Sequence, residues 1–314
     1  MKKYSLGIDI GGTAVKLGLF TVEGELLKKW EVETRKIENG KYILEDVSKS
    51  VNKVLGECNI NKEEVLGVGV GVPGPVKTDG TVLGCVNLGW PVFNVSTELE
   101  KLLNLSVKVA NDANIAALGE MFKGGGKGYD NMIMITLGTG VGGAVIIDGQ
   151  VIAGSNGAGG EIGHINVNPH ESIKCNCGRK GCLEQYASAT GIARLAMEIL
   201  NKESTDSKLR DIEVVTAKEV FDFAKEKDEL AIKIIDKFSS ILGRALSNIA
   251  CICDSQVFVI GGGVSKAGDV LLEDIKKYYK LNAFYATEDI EFKLATLGND
   301  AGIYGGAKLV RELL

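Results

Sequence analysis

The chain is expected to fold as an α/β protein built on one β-meander present twice, and three observations carry that expectation. The stretch KYSLGIDIGGTAVKLGLFTVEGELLKKWEVET near the start and NMIMITLGTGVGGAVIIDGQVIAG from Asn131 show the same order: apolar strand, glycine-rich turn, apolar strand, acidic-glycine turn, third strand. Between and after them, apolar strands alternate with segments of helical period. The 41 glycines against four prolines fall in a few clusters, which marks turns and close backbone approaches rather than low complexity.

In the first meander Gly11 and Gly12 leave backbone N–H groups bare for an anionic phosphate, and Thr13 adds a hydroxyl. Asp9, at the end of the strand, is suited to hold Mg²⁺ through water, because a hard cation prefers carboxylate oxygen. A plain hairpin turn is the alternative for this segment alone; the second copy favours two phosphate turns. Neither is a Walker loop, since no Gly-Lys is followed by Ser or Thr. Gly138, Gly140 and Gly143 satisfy GxGxxG, but a strand follows instead of a helix, so the dinucleotide reading fails on context.

Between the copies, Ile43, Val47, Val51 and Val54 mark a helix, and VLGVGVGV is a buried strand closed by Pro73–Pro75. The segment from Thr81 reads as a loop carrying Asn87 and Trp90, then a helix capped near Ser96 or Thr97. Asn87 either meets a sugar hydroxyl or stabilises its own turn. The strand Val107–Ala110 ends in Asn111 and Asp112 before a helix. Open α/β sheets place their chemistry at such carboxyl edges, so Asp112 is the candidate general base, with a helix N-cap as its competing role.

From Glu161 to Glu184 the chain holds both histidines and three of its seven cysteines. Cys175, Cys177 and Cys182, with His164 as fourth ligand, form a candidate tetrahedral zinc site; three reduced thiols in a glycine-containing loop are the alternative. Such a site would also fix Glu161 and Glu184, carboxylates able to accept hydrogen bonds from a polyol, whereas a lone glutamate is ordinarily a solvated surface residue. His170, after Pro169, reads as solvent-exposed. Beyond Glu184 come an amphipathic helix, a solvated connection and a long helix whose stripe through Phe238 is core or subunit interface. A strand, the turn Gly261, Gly262 and Gly263 and a helix then offer bare backbone to an adenosine. The last helix carries glycine and alanine on one side for close packing on the N-terminal domain.

A net charge of −5 without a basic run argues against nucleic-acid binding, and no apolar run of membrane-spanning length or signal peptide is present, which points to a reduced cytoplasmic protein. Cys58, Cys85, Cys251 and Cys253 are then free thiols.

DIGGT at Asp9–Thr13, the Asn111–Asp112 pair, GTGVGG at Gly138–Gly143, ExxH at Glu161–His164, CxCGxxGCxE at Cys175–Glu184 and the GGGV turn occur in that order. Together they resemble the ROK family of bacterial sugar kinases and repressors, most of all its glucokinases, over nearly the whole chain. The resemblance implies a two-domain, actin-like (ribonuclease H-like) ATPase fold with an interdomain cleft: a smaller domain of residues 1–110 plus helix 299–314, and a larger one of 111–298. It implies ATP with Mg²⁺ as donor, a hexose such as glucose as acceptor, structural Zn²⁺, and a homodimer or tetramer. The implied roles are Asp112 as base; Asn87, Asn111, Asp112, Glu161, His164 and Glu184 on the sugar; and His164, Cys175, Cys177 and Cys182 on zinc. Nucleotide contacts are expected from Asp9, Gly11, Gly12, Thr13 and Lys16, from Gly138, Thr139, Gly140, Gly142 and Gly143, and from Gly261–Gly263. Ala144 stands where a further glycine is common in the family, and Lys77 where many glucokinases carry Asp. Only eight residues precede Asp9, so no DNA-binding helix-turn-helix is expected, and fructose, N-acetylglucosamine, N-acetylmannosamine and allose stay open as acceptors.

Overall fold

The structure, a computed structural model, describes the backbone of residues 1–313 and the side chains of residues 1–311; the last residue of the expected C-terminal helix lies outside them. Two compact units are present. The first comprises 1–128, 149–160 and the chain from Thr296; the second comprises 129–148 and 161–295. The first unit thus extends past the expected boundary at residue 110, because the helix Asp112–Lys123 packs on the helix Ala301–Leu309 within it.

In the first unit β1 (Tyr4–Ile10), β2 (Ala14–Thr21), β3 (Leu26–Glu33), β4 (Val65–Val72) and β7 (Val107–Asn111) form a sheet of order β3-β2-β1-β4-β7. The meander is antiparallel and β4 and β7 add in parallel. β4 is buried on both faces, and its Val-Gly alternation explains how. Val68, Val70 and Val72 fill one side with Leu6, Ile8 and the helix Ile43–Glu57. On the other side a Cβ at Gly69 would stand 2.0 Å from the Gly306 carbonyl oxygen, and one at Gly71 2.0 Å from Ile115 Cδ1. Side chains alternate across a strand, so one glycine-bearing face admits two helix backbones.

The C-terminal helix packs where its small residues suggested. A Cβ at Gly305 would meet the Ile115 carbonyl oxygen at 1.6 Å, and one at Gly119 the Ala301 carbonyl oxygen at 2.0 Å. Gly305→Val should therefore cost on the order of 3 kcal/mol or more, through overpacking against backbone that cannot yield. Urea unfolding would read this as a lowered midpoint at unchanged slope, and an unchanged midpoint would contradict the packing. Glu120, fully buried, reinforces the junction: its carboxylate accepts from the N–H groups of Gly125, Thr296 and Leu297 at 2.8–3.1 Å.

The segment expected as a loop around Asn87 is a β-hairpin, β5 (Thr81–Cys85) paired with β6 (Trp90–Asn94). Its connection turns at Gly89, at φ +74°, and Trp90 Nε1 donates to the Gly40 carbonyl at 3.0 Å. The following helix is capped by Asn94, whose side chain accepts from Thr97 N–H at 2.8 Å, rather than by Ser96 or Thr97.

The second unit repeats the plan. β8 (Met132–Leu137) lies antiparallel to β9 (Val141–Ile147) and parallel to β11 (Val257–Gly261), which is parallel to β12 (Glu291–Leu294). This matches the β1, β2, β4, β7 arrangement, so the duplication read from the sequence is present, although the third strand of the second copy shrinks to Gln150–Val151, β10. The stripe of the helix Glu229–Cys253 is core: Ile234, Phe238, Leu242 and Leu246 are fully buried with Ile133, Ile135, Phe258 and Ile260. The amphipathic stretch after Glu184 is two helices, Glu184–Ala187 and Ala189–Lys202, broken where Ser188 caps the second. The helix Ala217–Lys225 and β12 went unrecognised in the sequence. The helix does carry a signal, T-x-x-E: Thr216 and Glu219 form a capping box.

Candidate active site

In the first unit the strand ends gather the expected residues. Gly11 N–H donates to the Ala14 carbonyl at 3.1 Å, and the Thr34 hydroxyl to the Gly11 carbonyl at 2.7 Å, bracing the turn. Lys36 Nζ stands 3.5 Å from where a Gly12 Cβ would be, a cation beside the turn that sequence periodicity did not single out. Lys16 Nζ reaches the Asn299 carbonyl at 3.3 Å.

Asp9 packs where a Cβ on Gly302 would collide with its carboxyl group at 2.7 Å. Burial raises its pKa to about 6; the charge of Lys16 opposes this and that of Asp112 adds to it. The folded-state pKa lies above the unfolded value near 3.8, so the native state binds the proton more tightly and Asp9 favours folding increasingly as pH falls through about 6. Asp9→Asn lacks this titration. Its Tm relative to wild type should therefore be higher at pH 7.5 than at pH 5, and a pH-independent difference would contradict the buried carboxyl.

At the end of β7 the competition over Asp112 is resolved by its neighbour. Asn111 is the N-cap: its Oδ1 accepts from Ala113 and Asn114 N–H at 2.9 and 3.3 Å, and its Nδ2 donates to the Gly74 carbonyl at 3.1 Å. Asp112 occupies the first helical position and accepts from Ala113 N–H at 2.8 Å. Its side chain is solvent-accessible, yet the surrounding protein mass raises its pKa, against opposing hydrogen bonds from Ala113 and Asn111. That moves a carboxylate toward the range useful to a general base. Asn87 is exposed on the 3₁₀ turn Val86–Leu88.

In the second unit His164, Cys175, Cys177 and Cys182 present ligand atoms that all lie within 4.8 Å of one another. Cys177 Sγ and Cys182 Sγ are 3.6 Å apart, and Cys175 Sγ and His164 Nδ1 3.9 Å. Tetrahedral zinc with bonds near 2.3 Å needs about 3.8 Å between sulfurs, so the donor set fits. Without a cation the two buried members are held as neutral thiols: burial pushes Cys182 up to about 12 and Cys175 upward, while the Arg179 N–H lowers Cys177. All seven cysteines are free of disulfides.

With Nδ1 toward the thiols, His164 Nε2 lies 3.9 Å from Glu161 Oε2. Glu184 joins two features: Oε2 accepts from Val141 N–H at 3.0 Å, beside the second glycine turn, and Oε1 lies 3.6 Å from Cys175 Sγ. A Cβ on Gly140 would strike this carboxylate at 2.2 Å, so the glycine there is a packing requirement. Gly138 N–H donates to the Gly140 carbonyl at 2.9 Å, and the exposed Thr139 accepts at its carbonyl from the Thr190 hydroxyl. Gly142 approaches Thr136 Oγ1, and Gly143 pairs with Ile135 in β9. Gly261 is buried inside β11, whereas Gly262 and Gly263 are exposed. Gly263 borders a cavity of about 470 Å³ also lined by Thr216, Lys218, Phe221 and Lys266. Sequence periodicity singled out none of these four, two of which, Lys218 and Phe221, lie on the unrecognised helix.

A strand-end carboxylate, two glycine turns and a Cys₃His loop on a duplicated α/β plan define a class of protein, and the ROK family model matches residues 5–313. The chain belongs to the ROK family. It is 44% identical to a glucokinase of Halalkalibacterium halodurans over 99% of this chain and 96% of that protein, and 36% identical to a glucokinase of Thermotoga maritima over 98% and 97%. Among solved structures it is similar to a ROK family glucokinase from Streptomyces griseus in complex with glucose and AMPPNP: TM-score 0.73, 31% identity, 98% of this chain and 99% of that one. These relatives also bear out the actin-like fold expected from the motifs. Among the described residues no helix is long and apolar enough to cross a membrane.

Proposed function

We infer that the chain is an ATP-dependent kinase that transfers the γ-phosphate to the 6-hydroxyl of glucose. The observation that carries the reading is Asp112, an accessible carboxylate at the carboxyl end of β7, relieved of capping by Asn111 and raised in pKa. The glucokinase relatives and the glucose and AMPPNP bound in the similar structure support the acceptor and donor.

In this reading Asp112 takes the proton from the sugar's 6-hydroxyl as that oxygen bonds to the γ-phosphorus, the bond to the β-phosphate oxygen breaks and ADP leaves. Gly11, Gly138 and Val141 spend their N–H groups inside the turns, so the N–H groups of Gly12, Thr13, Thr139 and Gly140, with Lys16, face phosphoryl oxygens. Asp9 orients the nucleotide's hydrated cation; Mg²⁺, when bound, spreads the charge of the transferring group. Asn87, Asn111, Glu161, His164 and Glu184 orient the sugar hydroxyls, Asn111 with the second N–H of an amide already engaged on Gly74. Gly262, Gly263 and the cavity beside them receive the adenosine. His164, Cys175, Cys177 and Cys182 hold zinc, which supplies loop rigidity and leaves His164 Nε2 free for a hydroxyl. The chain is read as cytoplasmic and homodimeric, which light scattering after size exclusion would check.

A coupled ADP-release assay across glucose, fructose, N-acetylglucosamine, N-acetylmannosamine and allose tests the acceptor. Glucose should give the highest kcat/KM by at least about tenfold, the margin that sugar-hydroxyl hydrogen bonds readily provide. A higher value for any other sugar would reassign the substrate.

A further inference from the structure

Several lysines on the surface of the second unit are neutralised by neighbours: Lys208 by Glu226, Lys218 by Asp222, Lys233 by Glu203 and Lys277 by Asp236. One cavity departs from that pattern. It measures about 500 Å³ and lies beside the segment Asn168–Ile173, and Lys202, Lys237, Arg244 and His170 line it. Among the described residues none of the three permanent cations makes a side-chain hydrogen bond or ion pair.

The carboxylates on the wall cannot supply the missing charge. Glu171 and Glu198 are both committed to Arg194, at 2.8 and 3.1 Å. Glu171 is further engaged by the Tyr186 hydroxyl and by Ser172 and Ile173 N–H, which together with Arg194 hold its pKa down at about 2 despite burial. The cavity is therefore net positive in a chain of net charge −5, and a concave wall concentrates such a field.

Lys237 and Arg244 are seven residues apart on one helix, two turns or about 10 Å along one face, with Ile241 between them. Two cations so spaced match two separate anionic groups better than one. Lys202, at the end of the neighbouring helix, and the His170 ring add donors on the facing wall.

We propose that this cavity binds a small organic bisphosphate, such as a sugar carrying a phosphate at each end. Lys237 and Arg244 engage one phosphate each, and Lys202 and His170 bridge to them. The ligand rests against the segment whose next residues are Lys174 and Cys175, so occupancy acts on the arm of the metal loop. This assignment does not depend on which sugar the chain phosphorylates.

Titration calorimetry on the full, metal-loaded chain tests it, with a non-hydrolysable ATP analogue saturating the donor site, low salt, and fructose 1,6-bisphosphate as probe. Saturable binding of one equivalent with Kd below about 1 mM is expected. The double variant Lys237→Ala/Arg244→Ala should bind at least tenfold more weakly, and Lys276→Ala, an exposed cation outside the cavity, should bind as wild type. All three positions are exposed, so Tm and kcat should stay at wild-type values, separating loss of the site from loss of the fold. Fructose 6-phosphate, with one phosphate, should bind at least tenfold more weakly than the bisphosphate. Absence of saturable binding, equal affinity in the double variant, or equal affinity for the monophosphate would each overturn the proposal.

Discussion

Asp112→Asn should lower kcat by roughly two to four orders of magnitude while the dissociation constant for glucose stays within about threefold. The size follows from the role: the amide cannot take the proton of the attacking hydroxyl, yet its oxygen can still accept from Ala113 N–H as the carboxylate does at 2.8 Å. The helix start is secured separately, because Asn111 is the cap. Tm should therefore change little, and the loss should sit in turnover rather than in binding. Single-turnover phosphoryl transfer together with glucose calorimetry measures both. Near-wild-type turnover would remove Asp112 from the chemistry, whereas a matching loss of glucose affinity would make it a positioning group.

Removing the metal should have the other large effect. Treatment with a strong chelator, or Cys182→Ser, is expected to weaken glucose binding at least tenfold and to lower Tm. Cys182 is buried with Cys175 and Cys177 beside it, and without a cation burial keeps Cys175 and Cys182 as thiols, so the bonds that zinc would make across the loop are lost. The same loop carries His164 and, through Cys175, leads to Glu184, whose other oxygen holds Val141 N–H at the second glycine turn. Slackening the loop should therefore disturb His164 and the second glycine turn together, the groups proposed to meet the sugar and the phosphates. Elemental analysis should find about one zinc per chain, with affinity restored by adding zinc back. Full glucose affinity in metal-free protein would defeat the zinc assignment.

Much of this candidate site is legible in the order of residues, and the reasons are local. A glycine turn between two apolar strands, a CxCGxxGC run ending two residues before Glu184, and a strand ending in Asn-Asp are each contiguous, so spacing alone brings the atoms within each close. The apolar run of β4 announced a buried strand, and the small residues of the last helix announced close packing. What escaped was context. The helix Ala217–Lys225 has a capping box in its sequence, but that Phe221 would wall a cavity with Gly263, some forty residues later, depends on how the chain returns. Lys36 came to lie beside Gly12 only because β3 carries it back along β2.

By itself, then, the order of residues determined the duplicated α/β plan, the donor atoms of the metal loop and the identity of the acidic groups, all of which follow from hydrophobic period and from ligands close in sequence. Tertiary structure decided what each acidic group does. Asn111 caps and Asp112 does not; Glu120 lies buried among backbone donors, Asp9 is buried enough to titrate near pH 6, and Glu184 bridges the metal loop to a glycine turn. The physical reason is that the protonation and partners of a carboxylate depend on burial and on donors supplied by distant segments, and neither is a property of neighbouring letters.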